Sequence, residues 1–169
     1  MNKINWYTPK INNISKTLLN KTIKSNFISE GQFTKKLENK IGIFLKSKNV
    51  IMTSSGTSAI YLALRTLNVN KKDEIIIPNI TYVATLNAVK LAGAKPIIVD
   101  VDLETSTIDS KDLKRKISKR TKAIIFVHIS GRPGNFKNVL SIAKKKKIKV
   151  IEDAAEAFGS SLNKKNWEH

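Results

Sequence analysis

The sequence predicts an α/β fold: a mostly parallel sheet flanked by helices, with a helical N-terminal arm before it. Three observations carry this expectation. From residue 48 onward, short apolar runs alternate with segments of helical periodicity. The runs, such as Ile75-Ile76-Ile77 and Ile124-Ile125-Phe126-Val127, are apolar without alternation, as in strands buried on both faces of a parallel sheet. Strand–helix repetition of this kind is the signature of α/β architecture.

The elements follow in order. Residues 12–24 and 32–46 show loose helical periodicity around a turn at 25–31, and residues 1–47 read as an arm rather than a domain. The domain proper spans 48–169. Residues 49–53 (NVIMT) read as a first strand and 58–67 as a helix apolar on nearly all sides. A strand at 74–77 is stopped by Pro78, which has no N–H to offer, and 81–91 reads as a helix. Residues 96–100 (PIIVD) read as the third strand; Ser110 opens a polar helix running to about 118. A fourth strand at 122–127, a helix at 135–147 and a fifth strand at 148–152 complete the pattern.

Composition narrows the function classes. At 41% hydrophobic and 26% charged, the 169 residues lie in the ordinary globular range. The lack of cysteine excludes a disulfide scaffold, a Cys-based zinc site and a thiol nucleophile. Uncharged runs reach about 15 residues, short of the ~18 a membrane-spanning helix needs, and no apolar stretch of a signal peptide follows Met1. The expectation is a soluble, cytoplasmic protein with no membrane partner.

The formal net charge of +18 raises the question of nucleic acid. Of 31 basic residues, however, 27 are Lys and only 4 are Arg, whereas base and phosphate recognition favours the Arg fork. The densest run, Lys144 to Lys147, falls where a helix should end and suits the negative end of its dipole. A solvated basic surface is therefore expected rather than a nucleic-acid site, and such a surface also attracts phosphorylated small molecules.

Four strings carry candidate chemistry. Thr53-Ser54-Ser55-Gly56-Thr57-Ser58 lies between an apolar run and a helix. It reads either as a phosphate site, with free N–H groups at the positive end of a helix, or as an ordinary Ser/Thr cap. Glu152-Asp153-Ala154-Ala155-Glu156 puts three acids at the end of the last strand. There Asp153 could hold a cationic heterocycle, or cap a helix by its spacing to Glu156; the case for a metal is weak, with His128 the sole soft donor nearby. Tyr82, after Pro78, could stack on a planar ligand or simply pack. His128 and Arg132, around a glycine-shaped turn, could face one crevice, His128 as an acid–base group or as a structural one.

Taken in order, SSGTSAIYLAL, DEIIIPNITYVATLNAVKLAGAKPIIVDVD, TKAIIFVHISGRPGNF and VIEDAAEAFGSS resemble the DegT/StrS-type sugar-nucleotide aminotransferases. These are pyridoxal 5'-phosphate (PLP) enzymes of the aspartate-aminotransferase fold, fold type I. SNFISEGQFTKKLE resembles the family's opening turn, so the likeness covers about residues 25 to 165. It implies that Gly56, Thr57 and Ser58 hold the cofactor phosphate, that Tyr82 stacks on the pyridine ring and that Asp153 pairs with the pyridinium nitrogen. Glu156 falls where the family commonly has Gln or His beside the ring hydroxyl, and His128 and Arg132 become substrate-binding candidates. The ending EDAAEA resembles the branch that makes perosamine-type 4-amino sugars.

The implied activity is transfer of an amino group from glutamate to a keto sugar on a nucleoside diphosphate, for surface polysaccharide such as lipopolysaccharide O-antigen, by a homodimer. The resemblance also implies that the Schiff-base lysine and the small C-terminal domain lie beyond residue 169, so that this is an incomplete large domain. Lys164 and Lys165 match the hairpin before that region, not the lysine. In that fold two further strands separate residues 49–53 from the fifth strand, which would leave 49–53 without neighbours. The alternatives are a non-catalytic remnant that binds PLP or a full-length partner and, from charge alone, a nucleic-acid-binding protein.

Overall fold

The computed structural model describes residues 8–29 and 31–161. Lys164, Lys165 and the rest of 162–169 lie outside the described residues. The chain divides into two compact units, Met1–Ile51 and Met52–His169.

The first unit holds two helices. α1 (Asn13–Lys24) begins at Asn12, whose side chain accepts the Ser15 N–H at 2.8 Å, satisfying a donor that the first helical turn leaves open. α2 (Gln32–Leu45) ends at Lys46 in the left-handed conformation, where the Ser47 N–H reaches the Gly42 carbonyl at 2.9 Å. A side chain at 42 would sit 3.0 Å from the Ser47 carbonyl, so glycine lets the chain turn back closely. Neither helix contains a fully buried residue.

The second unit is the α/β domain. Its elements are α3 (Gly56–Thr66), β1 (Glu74–Pro78), α4 (Val83–Leu91), β2 (Lys95–Val99), α5 (Ser110–Lys116), β3 (Thr121–Val127), α6 (Phe136–Lys146) and β4 (Lys149–Asp153). The strands form one parallel sheet in the order β2-β1-β3-β4. Alternation along the strands divides the core in two. Ile75, Ile77, Ala123, Ile125 and Val127 face α3 and α4, together with Ile60, Leu64, Ala88 and Val89. Ile76, Ile124 and Phe126 face α5 and α6, with Leu113, Phe136, Val139 and Ala143. The sheet is thus a middle layer between two helical layers, which is why its strands carry no polar alternation.

One expected strand is missing. Residues 49–53 lie outside the four strands, and Ile51 and Met52 are 71% and 41% exposed. A strand is defined by a hydrogen-bonded neighbour, and apolar composition cannot supply one. The sheet therefore has four strands among the described residues where five apolar runs were read as strands.

Charged side chains tie the strand ends. Glu74, buried at the start of β1, accepts from Arg120 and from the Ser118 hydroxyl before β3. The Ser118 bond first, then the Arg120 charge, hold its carboxyl below the usual range despite burial. Asp112 of α5 accepts the Asp100 N–H at 2.7 Å and meets Lys116 at 2.9 Å and Arg115 at 2.8 Å, locking the chain after β2 to α5.

Candidate active site

The order β2-β1-β3-β4 sends the chain from β1 to one side and from β3 to the other. Ligands in open parallel sheets bind where the crossover direction reverses, beyond the carboxyl ends of the strands. Here that point lies between β1 and β3, and the candidate residues gather along the same edge. α3 hands over to the start of β1 through residues 67–73, so its own start points toward the carboxyl edge. Tyr82 lies four residues past the end of β1 and is the cap residue of α4. His128 follows β3, and Asp153 ends β4.

At the start of α3, Ser55 is the cap residue, with its side chain accepting the Ser58 N–H at 3.1 Å. Ser58 Oγ lies 3.0 Å from Ser55 Oγ and 3.3 Å from Ser54 Oγ, and Thr53 donates to the Ser55 carbonyl. The cap reading holds: the Ser55 side chain occupies the Ser58 N–H. Those of Gly56 and Thr57, in the first helical turn, have no carbonyl one turn back to bond. A side chain at Gly56 would meet nothing within 4 Å, so the backbone there opens onto free space. First-turn N–H groups, neighbouring hydroxyls and a positive helix end can receive a phosphate.

Asp153 pairs in register with Val127, and Ile151, two residues before it, packs against the α3/α4 core. Alternation therefore puts Asp153 on the α3 side of the sheet, the side of the Gly56–Ser58 turn. One carboxylate oxygen accepts the Ala155 N–H at 3.2 Å, a local turn contact and not a helix cap. Tyr82 is 77% exposed at the start of α4, with its neighbour Thr81 bonded to the buried Thr85 at 2.8 Å.

The other acids go elsewhere. Glu156 accepts the N–H of Ser130, which adopts φ 52°, ψ 30° within a single 3-10 turn at Ile129–Gly131. Gly131 passes so close to the Glu156 carbonyl that an added side chain would lie 3.1 Å from it. His128 is 2% exposed; it faces Phe126 and Phe136 at 4.9 and 5.1 Å between ring centres, on the α5/α6 side of the sheet. Its Nδ1 lies 3.0 Å from the Arg132 carbonyl and its Nε2 2.8 Å from Glu152 Oε1. Burial alone would lower its pKa, but the Glu152 bond, the Arg132 carbonyl and the charges of Glu152 and Asp153 together raise it. The Arg132 side chain is exposed and reaches the Glu104 carbonyl at 3.3 Å.

The partner of His128 had no place among the expected site residues. A signal for it was present: in a parallel pair, Phe126 opposite Glu152 puts Glu152 on the face of Phe126 and hence of His128. That signal becomes readable only once the register is known.

A parallel α/β domain thus carries a helix start and a carboxylate on the same side of one sheet edge. The chain belongs to the DegT/DnrJ/EryC1/StrS aminotransferase family, whose model matches residues 9–167; these are PLP-dependent sugar aminotransferases. It is 39% identical over 166 residues to GDP-perosamine synthase of Escherichia coli O157:H7, covering 98% of this chain and 46% of that one. Its fold matches a putative sugar aminotransferase from Streptococcus pneumoniae in the PMP form, with a TM-score of 0.89 and 28% identity over 93% of this chain and 43% of that one. It also matches a GDP-4-keto-6-deoxymannose-3-dehydratase with a trapped PLP-glutamate geminal diamine, at TM-score 0.85 and 28% identity over 94% of this chain and 42% of that one. The chain thus spans less than half the length of these relatives.

Proposed function

We propose that this chain forms the cofactor-binding part of a PLP-dependent aminotransferase that acts on a nucleotide-linked keto sugar of the perosamine branch, with glutamate as amino donor. The observation that carries the reading is the shared side of the sheet: the open N–H groups of Gly56 and Thr57 and the carboxylate of Asp153. Similarity to GDP-perosamine synthase supports the sugar, and the glutamate trapped in the dehydratase structure supports the donor.

When bound, PLP supplies an electron-withdrawing ring that stabilises negative charge on the substrate carbon. In this reading Gly56 and Thr57 bind its phosphate through their N–H groups, with Ser58 Oγ as a further donor. Asp153 holds a proton on the ring nitrogen, and Tyr82 covers the ring face and excludes water. Glu156 holds the 129–134 loop through the Ser130 N–H. Arg132, exposed on that loop, attracts the substrate's phosphates. A homodimer in the cytoplasm, serving O-antigen or another surface polysaccharide, is the setting in which we place the whole protein.

Titration of this chain with PLP, followed by absorbance and by tyrosine fluorescence, tests the reading. Saturable binding that inorganic phosphate competes away is expected, and Asp153→Ala should weaken it at least about tenfold, or 1.4 kcal/mol. Absence of saturable binding, or an unchanged affinity in Asp153→Ala, counts against it.

A further inference from the structure

Both partners of the buried His128 ring are acceptors. Nδ1 lies 3.0 Å from the Arg132 carbonyl and Nε2 lies 2.8 Å from the Glu152 carboxylate. A neutral imidazole has one N–H and can satisfy only one of them; satisfying both takes an imidazolium. The contacts join three pieces of chain. His128 continues β3, Glu152 is next to Asp153 at the end of β4, and Arg132 closes the turn that begins at Ile129. The His128 N–H also donates to the Asp153 carbonyl at 3.1 Å, and Glu156 binds the Ser130 N–H from the far side.

We infer that His128 is a buried imidazolium that works as a proton-dependent clamp, positioning the 129–134 loop against the end of β4 that carries Asp153. The charged groups around it are Glu152 and Asp153 on β4, Glu156 in the turn after it and Arg132 on its own loop, whose guanidinium is turned to the Glu104 carbonyl. Phe126 and Phe136 supply the apolar walls. Loss of the proton breaks one of the two bonds and leaves either the Arg132 carbonyl or the half-buried Glu152 carboxylate without its donor beside a buried ring. His128 is thus a positioning residue. Its effect on Asp153 rests on the cofactor reading above; the clamp itself does not.

The test reads the imidazole directly. Long-range proton–nitrogen NMR of the 15N-labelled chain is recorded between about pH 5 and 8, with His169→Gln removing the only other histidine. Both ring nitrogens of His128 should stay protonated above the ordinary imidazole midpoint. Glu152→Gln keeps an acceptor at the same place but removes its charge, and should lower the midpoint by about one unit, a tenfold change. At one fixed pH, the amides of Ser130 and Gly131 should then exchange roughly tenfold faster than in the parent chain. A single neutral tautomer at neutral pH, or a midpoint that Glu152→Gln leaves unmoved, overturns the clamp. None of these readouts involves PLP, so their failure is distinct from failure of the cofactor assignment.

Discussion

Position 134 admits only glycine. Its φ is +42°, and an added side-chain carbon would lie 2.0 Å from Thr107 Oγ1 and 2.8 Å from Thr107 Cβ. Thr107 is itself buried at 1% exposure. Gly134→Ala should therefore cost about 2–4 kcal/mol in urea unfolding, and Thr107→Ser should not rescue it because the Cβ clash remains. At Asp112, the Asp100 N–H first and the Lys116 bond next hold the carboxyl down at about 2, against an ordinary 3.8. A depressed acid contributes its stability above its unfolded value and loses it as pH falls through the folded one. Asp112→Ala should lose about 2–3 kcal/mol at neutral pH, and its stability should fall less than the parent's between about pH 4 and 2. His128 has the opposite sign. Its raised pKa gives a contribution fully present below the unfolded value and lost as pH rises through the folded one. Thermal scans between about pH 6 and 9 should show a stability decline that Glu152→Gln flattens.

Helix ends show how far sequence reading reaches at the scale of elements. α6 closes at Lys147 with φ 55°, and the next N–H, of Ile148, returns to the Ala143 carbonyl at 2.9 Å. Lysines 144–146 fill its last turn, as the dipole argument expected. Glycine takes the left-handed conformation without a Cβ penalty, so Lys147→Gly should stabilise the domain by about 1 kcal/mol, read as a raised Tm. A lowered Tm would show that Lys147 contributes packing not seen in its exposed position. Most boundaries were legible to within two residues, because caps and turns are local: α3 begins at Gly56 where 58 was expected, since the cap is Ser55. The segment 49–53 divided two expectations, since its composition read as a strand while the resemblance left it without neighbours, and it forms no strand. Its residues favour strand, but a ladder needs a partner, and the partner is a property of the sheet order.

For the whole molecule, charge opposes apolar exposure. The first unit leaves Ile14, Leu18, Leu19 and Ile23 of α1 between 41% and 69% exposed, as two i,i+4 pairs that spread over half of the helix. A net charge of +18 makes copies of the chain repel one another. Salt shortens that repulsion from a range of about 30 Å at 0.01 M to about 3 Å at 1 M. Sedimentation velocity should therefore show self-association rising with ionic strength; association that falls with salt would mean oppositely charged patches drive it instead.

The amino-acid sequence alone determined the α/β class, the parallel sheet, the places of the helices and the strings that mark the family. All of these rest on local periodicity, on caps and on residue order. The tertiary structure decided what depends on register and facing. It set Asp153 on the side of the Gly56–Ser58 turn, and turned His128 to the opposite face against Glu152. Two adjacent residues of a motif, Glu152 and Asp153, lie on opposite sides of the sheet. Residues 24 apart, such as His128 and Glu152, can share a proton, because pairing and pleat, unlike spacing along the chain, fix which side chains meet.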